Sequence, residues 1–252
     1  MVSDEVPPVV PSNKDNIALW SAIPPARLAA MDPEGDFGKR HVLNRALFDL
    51  IGDPAGLRIL DAGAGQGYLS RLLARRGGVV TSLEPADALI AHSRRLQEQE
   101  PLDVEYVQGD LTELTIAPEF DLVVASMVFL AIRDWTRALA ACAAALRPGG
   151  VLVFSVNHPC FETGAWHPSA DDPHVAVRDY LTERPLARPV ATDFHRTLAT
   201  YLNAVVAAGL VITGVAEPGL DPALVADPSA PDTAALLTTV PDFLVVRAQR
   251  PA

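Results

Sequence analysis

The stretch that decides the fold is RILDAGAGQGYLSRLLARRG, residues 58–77. An apolar run ends in Asp61, three glycines follow at alternate positions from Gly63 to Gly67, and an amphipathic pattern closes on a glycine pair. This order predicts a buried strand, a tight turn and a helix. Because glycine has no Cβ, such a turn lets the backbone approach a ligand closely. The stretch therefore predicts a nucleotide-binding turn, and the residues around it must decide which nucleotide.

The same strand-then-helix order continues along the chain. Further apolar, β-branched runs are VVTSLEP, VEYVQGD, FDLVVAS and VLVFSVN, and helical patterns such as ADALIAHSRRLQEQE separate several of them. Two more strand-like runs, LVITGVAEP and DFLVVRAQR, follow a proline-rich region. Strands that alternate with helices indicate a mostly parallel sheet with helices on both faces. We predict an α/β fold, a doubly wound seven-stranded sheet with a partial lid of helices and loops.

The pattern also divides the chain into segments of different character. We predict a flexible tail over residues 1–15 and one domain over 16–252. Within the domain we expect N-terminal lid helices over 16–50, a cofactor-binding core over 55–157, a substrate-side insertion over 158–200, and a C-terminal helix with the last strands over 201–252.

Composition excludes several classes of function. The chain has 252 residues, 49% of them hydrophobic, and a formal net charge of −11, which disfavours a nucleic-acid partner. The longest apolar runs are too short to span a bilayer, and the acidic, proline-containing start does not resemble a signal peptide. Two cysteines cannot build a disulfide framework or a cysteine-based zinc site. We expect a cytoplasmic protein without membrane or metal, either monomer or homodimer.

The glycine turn does not match the usual phosphate-binding patterns. A dinucleotide fingerprint would place a third glycine where the chain has Tyr68 or Ser70, and no Lys-Ser/Thr pair follows for a P-loop. The carboxylate of Asp61 would repel a pyrophosphate and attract a cation. S-adenosylmethionine has a cationic ammonium and sulfonium and no phosphate, so it fits this turn.

Two further acids follow later strands. Glu84 ends the second strand, 23 residues after Asp61, where an acid can accept hydrogen bonds from both ribose hydroxyls. Asp110 ends the third strand and could accept from the adenine amine, with Leu111 packing on the ring. Each acid also has a purely structural interpretation. Asp110 begins the capping pattern DLTE, and Glu84 could be a solvated turn residue. The role of Asp61 could be limited to orienting the glycine loop.

Together, ILDAGAGQGYLSRLLARRG, LEPADALIAHSRR, VQGDLTEL, FDLVVASMVFLAIRDW and LRPGGVLVFSV resemble the successive motifs of class I S-adenosylmethionine-dependent methyltransferases, over roughly residues 55–157. The resemblance implies S-adenosylmethionine as cofactor, S-adenosylhomocysteine as product, and an antiparallel pair formed by the last two strands. It implies backbone contacts near the methyl group at Ser126. The predicted cofactor-binding residues are Arg40, Asp61, Ala62, Gly63, Ala64, Gly65, Tyr68, Glu84, Pro85, Asp110, Leu111, Ser126 and Met127.

The substrate side is less defined. NHPCF and FHRTL resemble segments of a small-molecule branch related to quinone and secondary-metabolite methyltransferases. His158 and His195 are candidate general bases, or else structural hydrogen-bonding groups. The predicted substrate-binding residues are Trp20, Phe129, His158, Phe161 and His195, and the aromatic ones could equally be core. We expect methyl transfer to O, N or C of a small organic metabolite; the alternative is a protein that binds the cofactor without transferring the methyl group.

Overall fold

The computed structural model describes residues 10–113, 115, 117, 119–169 and 172–252. The strands are β1 Arg58–Ala62, β2 Val79–Glu84, β3 Val104–Gln108, β4 Phe120–Ser126, β5 Leu146–Asn157, β6 Ala165–His167, β7 His174–Ala176, β8 Arg184–Ala187, β9 Thr192–His195, β10 Val211–Ala216 and β11 Phe243–Gln249. The α-helices are α1 Asn13–Ser21, α2 Pro25–Ala29, α3 Asn44–Ile51, α4 Tyr68–Arg75, α5 Asp87–Gln99, α6 Trp135–Ala145, α7 Leu198–Ala207 and α8 Ala234–Leu237. A π-helical turn, Lys39–Leu43, precedes α3.

Seven strands form the main sheet, in the order β10-β11-β5-β4-β1-β2-β3. The pairs from β5 through β4, β1 and β2 to β3 are parallel. The last strand, β11, runs antiparallel to both β5 and β10. The predicted seven-stranded, mostly parallel sheet and its antiparallel final pair are confirmed.

Both faces of the sheet are covered. In β4, Leu122 and Val124 belong to a core shared with α3 and α4, whereas Val123 and Ala125 belong to a core shared with α6 and α7. Side chains of a strand alternate between faces, so each face of β4 needs apolar residues when helices cover both sides. This explains why the central strands are uniformly apolar. It also places the carboxyl ends of the parallel strands along one edge.

The N-terminal helix begins earlier than predicted. Ser12 Oγ accepts from the backbone N–H of Asp15, and an Asp15 carboxylate oxygen accepts from the backbone N–H of Ser12. This reciprocal capping box starts α1 at Asn13. Residues 13–15 are therefore helical and not part of a flexible tail. Residues 1–9 of that predicted tail lie outside the described residues.

The segment after β5 contains two short antiparallel pairs, β6 with β7 and β8 with β9. They replace the strand-helix order of the core over most of the predicted substrate-side insertion. The chain then returns to the sheet through α7. Across the described residues, we find no helix with the length and apolar character needed to cross a membrane.

Candidate cofactor and substrate site

A cavity of about 530 Å³ lies at the carboxyl ends of β1, β2 and β4. Ligand sites of open α/β sheets lie at this edge, and the volume is typical of a small-molecule site. The glycine turn and the ends of β2 and β4 form one wall, and α1 with residues 30–39 forms the other. The lining residues include Asn13, Asn16, Ile17, Trp20, Met31, Asp32, Asp36, Lys39, Gly63, Ala64, Gly65, Gln66, Tyr68, Glu84, Pro85, Leu89, Asp110, Leu111, Ser126, Met127, Val128, Ala131 and Ile132.

The glycine turn has a backbone that other residues rarely adopt. Gly63 and Gly65 have φ of +72° and +58°. The N–H groups of Gly63 and Ala64 donate to the carbonyl of Leu83, at 2.8 and 2.9 Å. A Cβ on Gly63 would lie 2.7 Å from the Val128 methyl groups, whereas a Cβ on Gly65 would meet no atom within 4 Å. The turn is therefore packed tightly against the end of β4 at Gly63 and open at Gly65.

Glu84 lines the cavity at the end of β2, as predicted. It is only 6% exposed, and its two carboxylate oxygens accept from the backbone N–H groups of Gly65 and Ala86, at 2.8 and 2.9 Å. Burial raises the pKa of Glu84 to about 7. These two hydrogen bonds fix the carboxylate and leave lone pairs for ligand hydroxyl groups, since a carboxylate has about four acceptor positions.

Asp61 lies behind the turn. It is 2% exposed, accepts a 2.6 Å hydrogen bond from Ser70 Oγ, and is not among the residues that line the cavity. Burial raises the pKa of Asp61 to about 6. Ala62 is fully buried as well. Neither Asp61 nor Ala62 lines the cavity where the predicted ligand contact would be made, because Asp61 faces the start of α4. Orienting the loop is the role that this geometry supports for Asp61.

Asp110 and Leu111 line the cavity beyond β3. One carboxylate oxygen of Asp110 accepts from the backbone N–H and the hydroxyl of Thr112, at 2.8 and 2.9 Å. The other accepts from the side-chain amide of Asn13 in α1, at 2.7 Å. The local part of the DLTE pattern thus forms a turn and not a helix start, and the second oxygen connects β3 to α1.

The end of β4 places Ser126 and Met127 on the cavity, as predicted. Met127 has a left-handed φ of +60°, uncommon for a residue other than glycine. Its N–H donates to the carbonyl of Ser155 at 2.9 Å, and the hydroxyls of Ser126 and Ser155 are 3.1 Å apart. Backbone strain of this kind persists only where the surroundings hold it, and it is frequent at functional sites.

The predicted contact of Arg40 with the cavity is not observed. Its guanidinium pairs with Asp32 at 3.1 Å, and Arg40 is not among the lining residues. The neighbouring Lys39 lines the cavity instead, with its ammonium 2.7 Å from Asp36. The π-helical turn that begins at Lys39 sets which of the two cations faces inward, and a sequence pattern does not reveal this.

Of the predicted substrate-binding aromatic residues, only Trp20 lines the cavity. Phe129 is fully buried in the core, with its ring 5.3 Å from that of Phe154 and 5.9 Å from that of Trp135. Phe161 lies against His158, with ring centroids 4.9 Å apart. Phe129 and Phe161 are therefore packing residues in this structure, which corrects their assignment to the cavity wall.

Neither candidate histidine reaches the cavity. His158 is 2% exposed; its Nδ1 accepts from the Cys160 N–H, so its Nε2 donates to Glu217, at 2.7 Å. His195 is 1% exposed and uses Nδ1 with Glu162 at 2.6 Å and Nε2 with the carbonyl of Tyr180 at 2.7 Å. With both ring nitrogens occupied inside the protein, neither is placed to take a proton from a molecule in the cavity.

Sequence reasoning missed the contribution of α1. Asn16 is 2% exposed; its amide donates to the carbonyls of Ala131 and Thr192, at 2.8 and 2.6 Å, and its oxygen accepts from the Thr192 N–H at 3.0 Å. One side chain thereby ties α1 to the loop after β4 and to β9. The Ser12–Asp15 spacing was a signal for an earlier helix start, but nothing local in the sequence reveals where that helix packs.

The charge of the cavity tests which cofactor fits. Its ionisable lining comprises four carboxylates, Asp32, Asp36, Glu84 and Asp110, and the single cation Lys39, which is paired with Asp36. Such a lining disfavours a pyrophosphate and suits a cationic ligand with hydroxyl groups. The residues present therefore fit S-adenosylmethionine: Glu84 would hold the ribose, Asp110 and Leu111 the adenine, and the open side of the glycine turn the methionine portion.

Comparisons with known proteins agree with this geometry. Residues 60–154 match the methyltransferase domain family. Over 135 residues the chain is 32% identical to the ubiquinone biosynthesis O-methyltransferase of Coxiella burnetii, a match that covers 52% of this chain and 58% of that protein. The chain thus spans somewhat over half the length of this curated relative.

Solved structures extend the likeness beyond the matched domain. The S-adenosylmethionine-dependent methyltransferase from Mesorhizobium loti is 28% identical, with a TM-score of 0.71, over 82% of this chain and 96% of that chain. The 1,6-didemethyltoxoflavin-N1-methyltransferase of Burkholderia thailandensis, solved with 1,6-didemethyltoxoflavin and S-adenosylhomocysteine, has a TM-score of 0.55 over 82% of this chain and 76% of that chain. At 18% identity the latter shows the fold alone.

Residues 60–154 thus form a methyltransferase domain, and the comparisons relate this domain to S-adenosylmethionine-dependent methyltransferases of class I, small-molecule ones among them. S-adenosylmethionine is the cofactor of this class.

Proposed function

We propose that this protein transfers a methyl group from S-adenosylmethionine to a small organic metabolite. The observation that carries the proposal is the buried carboxylate of Glu84, fixed by the N–H of Gly65 beside an acidic cavity. A carboxylate held there can accept two hydroxyl hydrogen bonds. The acidic lining also favours a positively charged ligand over a dinucleotide.

The residues of this chain have distinct tasks in the proposed reaction. When bound, S-adenosylmethionine supplies a methyl group on a cationic sulfur. Glu84 and the glycine turn orient the cofactor, and Met127, at the end of β4, borders the place where an acceptor approaches. Residues of α1 and of the 30–39 segment cover the opposite side and exclude water. Alignment and exclusion of water supply most of what such a displacement needs.

We further propose a cytoplasmic protein, monomeric or homodimeric, whose acceptor is a small molecule and not a nucleic acid. The net charge of −11 supports this. A role in secondary metabolism belongs to the same proposal. Oxygen is the acceptor atom that the name of the Coxiella burnetii relative specifies for that protein; nitrogen and carbon stay open for this one.

Incubation of the purified protein with methyl-labelled S-adenosylmethionine and a library of small phenols, amines and activated methylenes tests the proposal. We expect stoichiometric formation of S-adenosylhomocysteine and a labelled product with at least one library member. Binding of the cofactor without any S-adenosylhomocysteine across the library would favour the alternative, a protein that uses the cofactor without transferring its methyl group.

A further inference from the structure

A second cavity, of about 450 Å³, lies beside the first. The two share Asp36, Lys39 and Met127 as lining residues, so they meet at the end of β4. In the proposed function, Met127 borders the place where an acceptor approaches the methyl group. A molecule in the second cavity would therefore lie beside the place where the acceptor approaches.

The second cavity combines aromatic and apolar walls with polar side chains, which are Asp36, Lys39, Asn157, Ser229, Thr233 and Asp242. Phe37 and Phe243 form aromatic walls, and the 36–39 turn lies beside the Phe243 ring at Gly38. Aromatic walls beside directed polar groups occur in small-molecule sites. The polar groups near the carboxyl end of β5 are Asn157 and Asp242.

The fold places Asp242 beside Asn157. In the β5–β11 ladder Phe243 pairs with Asn157, and the His158 N–H donates to the Asp242 carbonyl at 2.8 Å. The backbone of Asp242 is thus fixed at the edge where the parallel strands end. Within the described part of the chain, no protein group donates a hydrogen bond to its carboxylate, although the residue is half-buried.

The carboxylate of Asp242 is therefore available to accept a hydrogen bond from a molecule in the second cavity. Burial, followed by the nearby negative charge of Asp36, raises the pKa of Asp242, and the positive charge of Arg188 acts in the opposite direction. A carboxylate with a raised pKa is a stronger base than an exposed one, and this suits it to accept a proton.

Resting on the proposed function, we infer that the second cavity holds the methyl acceptor and that Asp242 is the catalytic residue that binds and deprotonates it. The acceptor class is a neutral aromatic molecule that carries a hydroxyl or amino group. Phe37 and Phe243 contact its ring, and an Asp242 oxygen accepts the hydrogen bond from its O–H or N–H. Two carboxylates at the cavity, Asp36 and Asp242, disfavour an anionic acceptor.

The proposed step balances as follows. The acceptor heteroatom forms a bond to the methyl carbon, and the carbon–sulfur bond breaks with its electron pair left on sulfur. The O–H or N–H bond of the acceptor breaks, and its proton passes to an Asp242 oxygen. That proton then leaves to solvent, so Asp242 returns to its starting state and no oxidant or reductant is needed.

The test compares native protein with two variants. Asp242→Asn keeps the shape of the side chain and removes the base. Asp103→Asn is a matched control at an exposed site away from both cavities. The probes are 4-methylcatechol and 4-methylaniline, with 3,4-dimethoxytoluene as an analogue that lacks the donor. Calorimetry measures probe binding to the protein saturated with S-adenosylhomocysteine, and mass spectrometry measures methylated product formed from S-adenosylmethionine.

We expect at least one donor probe to bind and to be methylated on its heteroatom. Asp242→Asn should weaken that binding about tenfold and slow methylation about a hundredfold. Unchanged affinity of this variant for S-adenosylhomocysteine shows that it is folded, and Asp103→Asn should match native protein throughout.

The inference is overturned if Asp242→Asn binds and methylates like native protein, if 3,4-dimethoxytoluene binds as tightly as the donor probes, or if neither donor probe binds the loaded native protein. Lack of S-adenosylhomocysteine binding by native protein would instead contradict the proposed function. The two failures are therefore distinguishable.

Discussion

One wall of the main cavity comes from the ends of parallel strands, and the opposite wall comes from α1 and residues 30–39. The strand-end wall consists of short motifs at the ends of successive strands, such as the turn with Gly63 and Gly65 after β1 and Glu84 at the end of β2. The helical wall depends on long-range contacts, such as the hydrogen bonds from Asn16 to Ala131 and Thr192. A local pattern therefore identifies the first wall, whereas only the folded chain identifies the second.

The largest expected effect concerns the strand-end wall. Gly63→Ala puts a Cβ 2.7 Å from the Val128 methyl groups at a backbone φ of +72°. Because of this clash and strain, we expect the free energy of unfolding to fall by roughly 2–4 kcal/mol. We also expect no measurable cofactor binding. Gly65→Ala is the matched variant, because it has a similar φ but no neighbour within 4 Å, and should lose only about 1 kcal/mol. Urea unfolding measures both, and equal losses would contradict the tight packing at Gly63.

The next effect concerns Glu84, whose charge makes the strand-end wall selective. With a pKa of about 7, Glu84 is mostly protonated at pH 6 and mostly ionised at pH 8. Since the ionised form accepts more hydrogen bonds, affinity for S-adenosylhomocysteine should rise about tenfold from pH 6 to pH 8.

Glu84→Gln should lower that affinity at least about tenfold at pH 8 and make it nearly independent of pH over this interval. Calorimetry at several pH values provides the measurement. A native profile that falls with rising pH, or a variant that keeps the native slope, would show that another group controls binding.

A smaller effect is expected from the helical wall. Asn16→Ala removes three hydrogen bonds that hold α1 over the cavity, so we expect affinity for S-adenosylhomocysteine to fall about three- to tenfold. Proteolysis near α1 should become faster. Lys14→Ala, two residues away on the exposed face of α1, is the control and should behave like native protein. Identical affinities for the two variants would mean that α1 does not help to retain the ligand.

The smallest effect on activity is expected from His158. Glutamine at this position can still donate to Glu217, so His158→Gln should leave S-adenosylhomocysteine affinity and the methylation rate within about twofold of native values, with a modest fall in Tm. Calorimetry, the methylation assay and thermal unfolding check this. A hundredfold loss of rate with unchanged Tm would restore His158 as a catalytic base.

The sequence predicted the sheet and most of the strand-end wall because strand ends and tight glycine turns are determined locally. Gly63, Gly65, Glu84 and Asp110 lie at such ends. The sequence did not reveal that Lys39, and not Arg40, lines the cavity, because the π-helical turn beginning at Lys39 decides which of the two side chains faces inward. The positions of Phe129, Phe161, His158 and His195 could not be predicted from the sequence. A side chain that follows a strand can pack inside the protein as readily as it can line a cavity, and the local sequence is the same in both cases.

The central claim is that the acidic cavity at the strand ends binds an adenosyl cofactor and not a dinucleotide. Calorimetric titration of the native protein at pH 8 with S-adenosylhomocysteine, and separately with NAD⁺, tests it most directly. We predict one S-adenosylhomocysteine site per chain and no NAD⁺ binding. Absence of S-adenosylhomocysteine binding, or NAD⁺ binding of equal strength, would contradict the account.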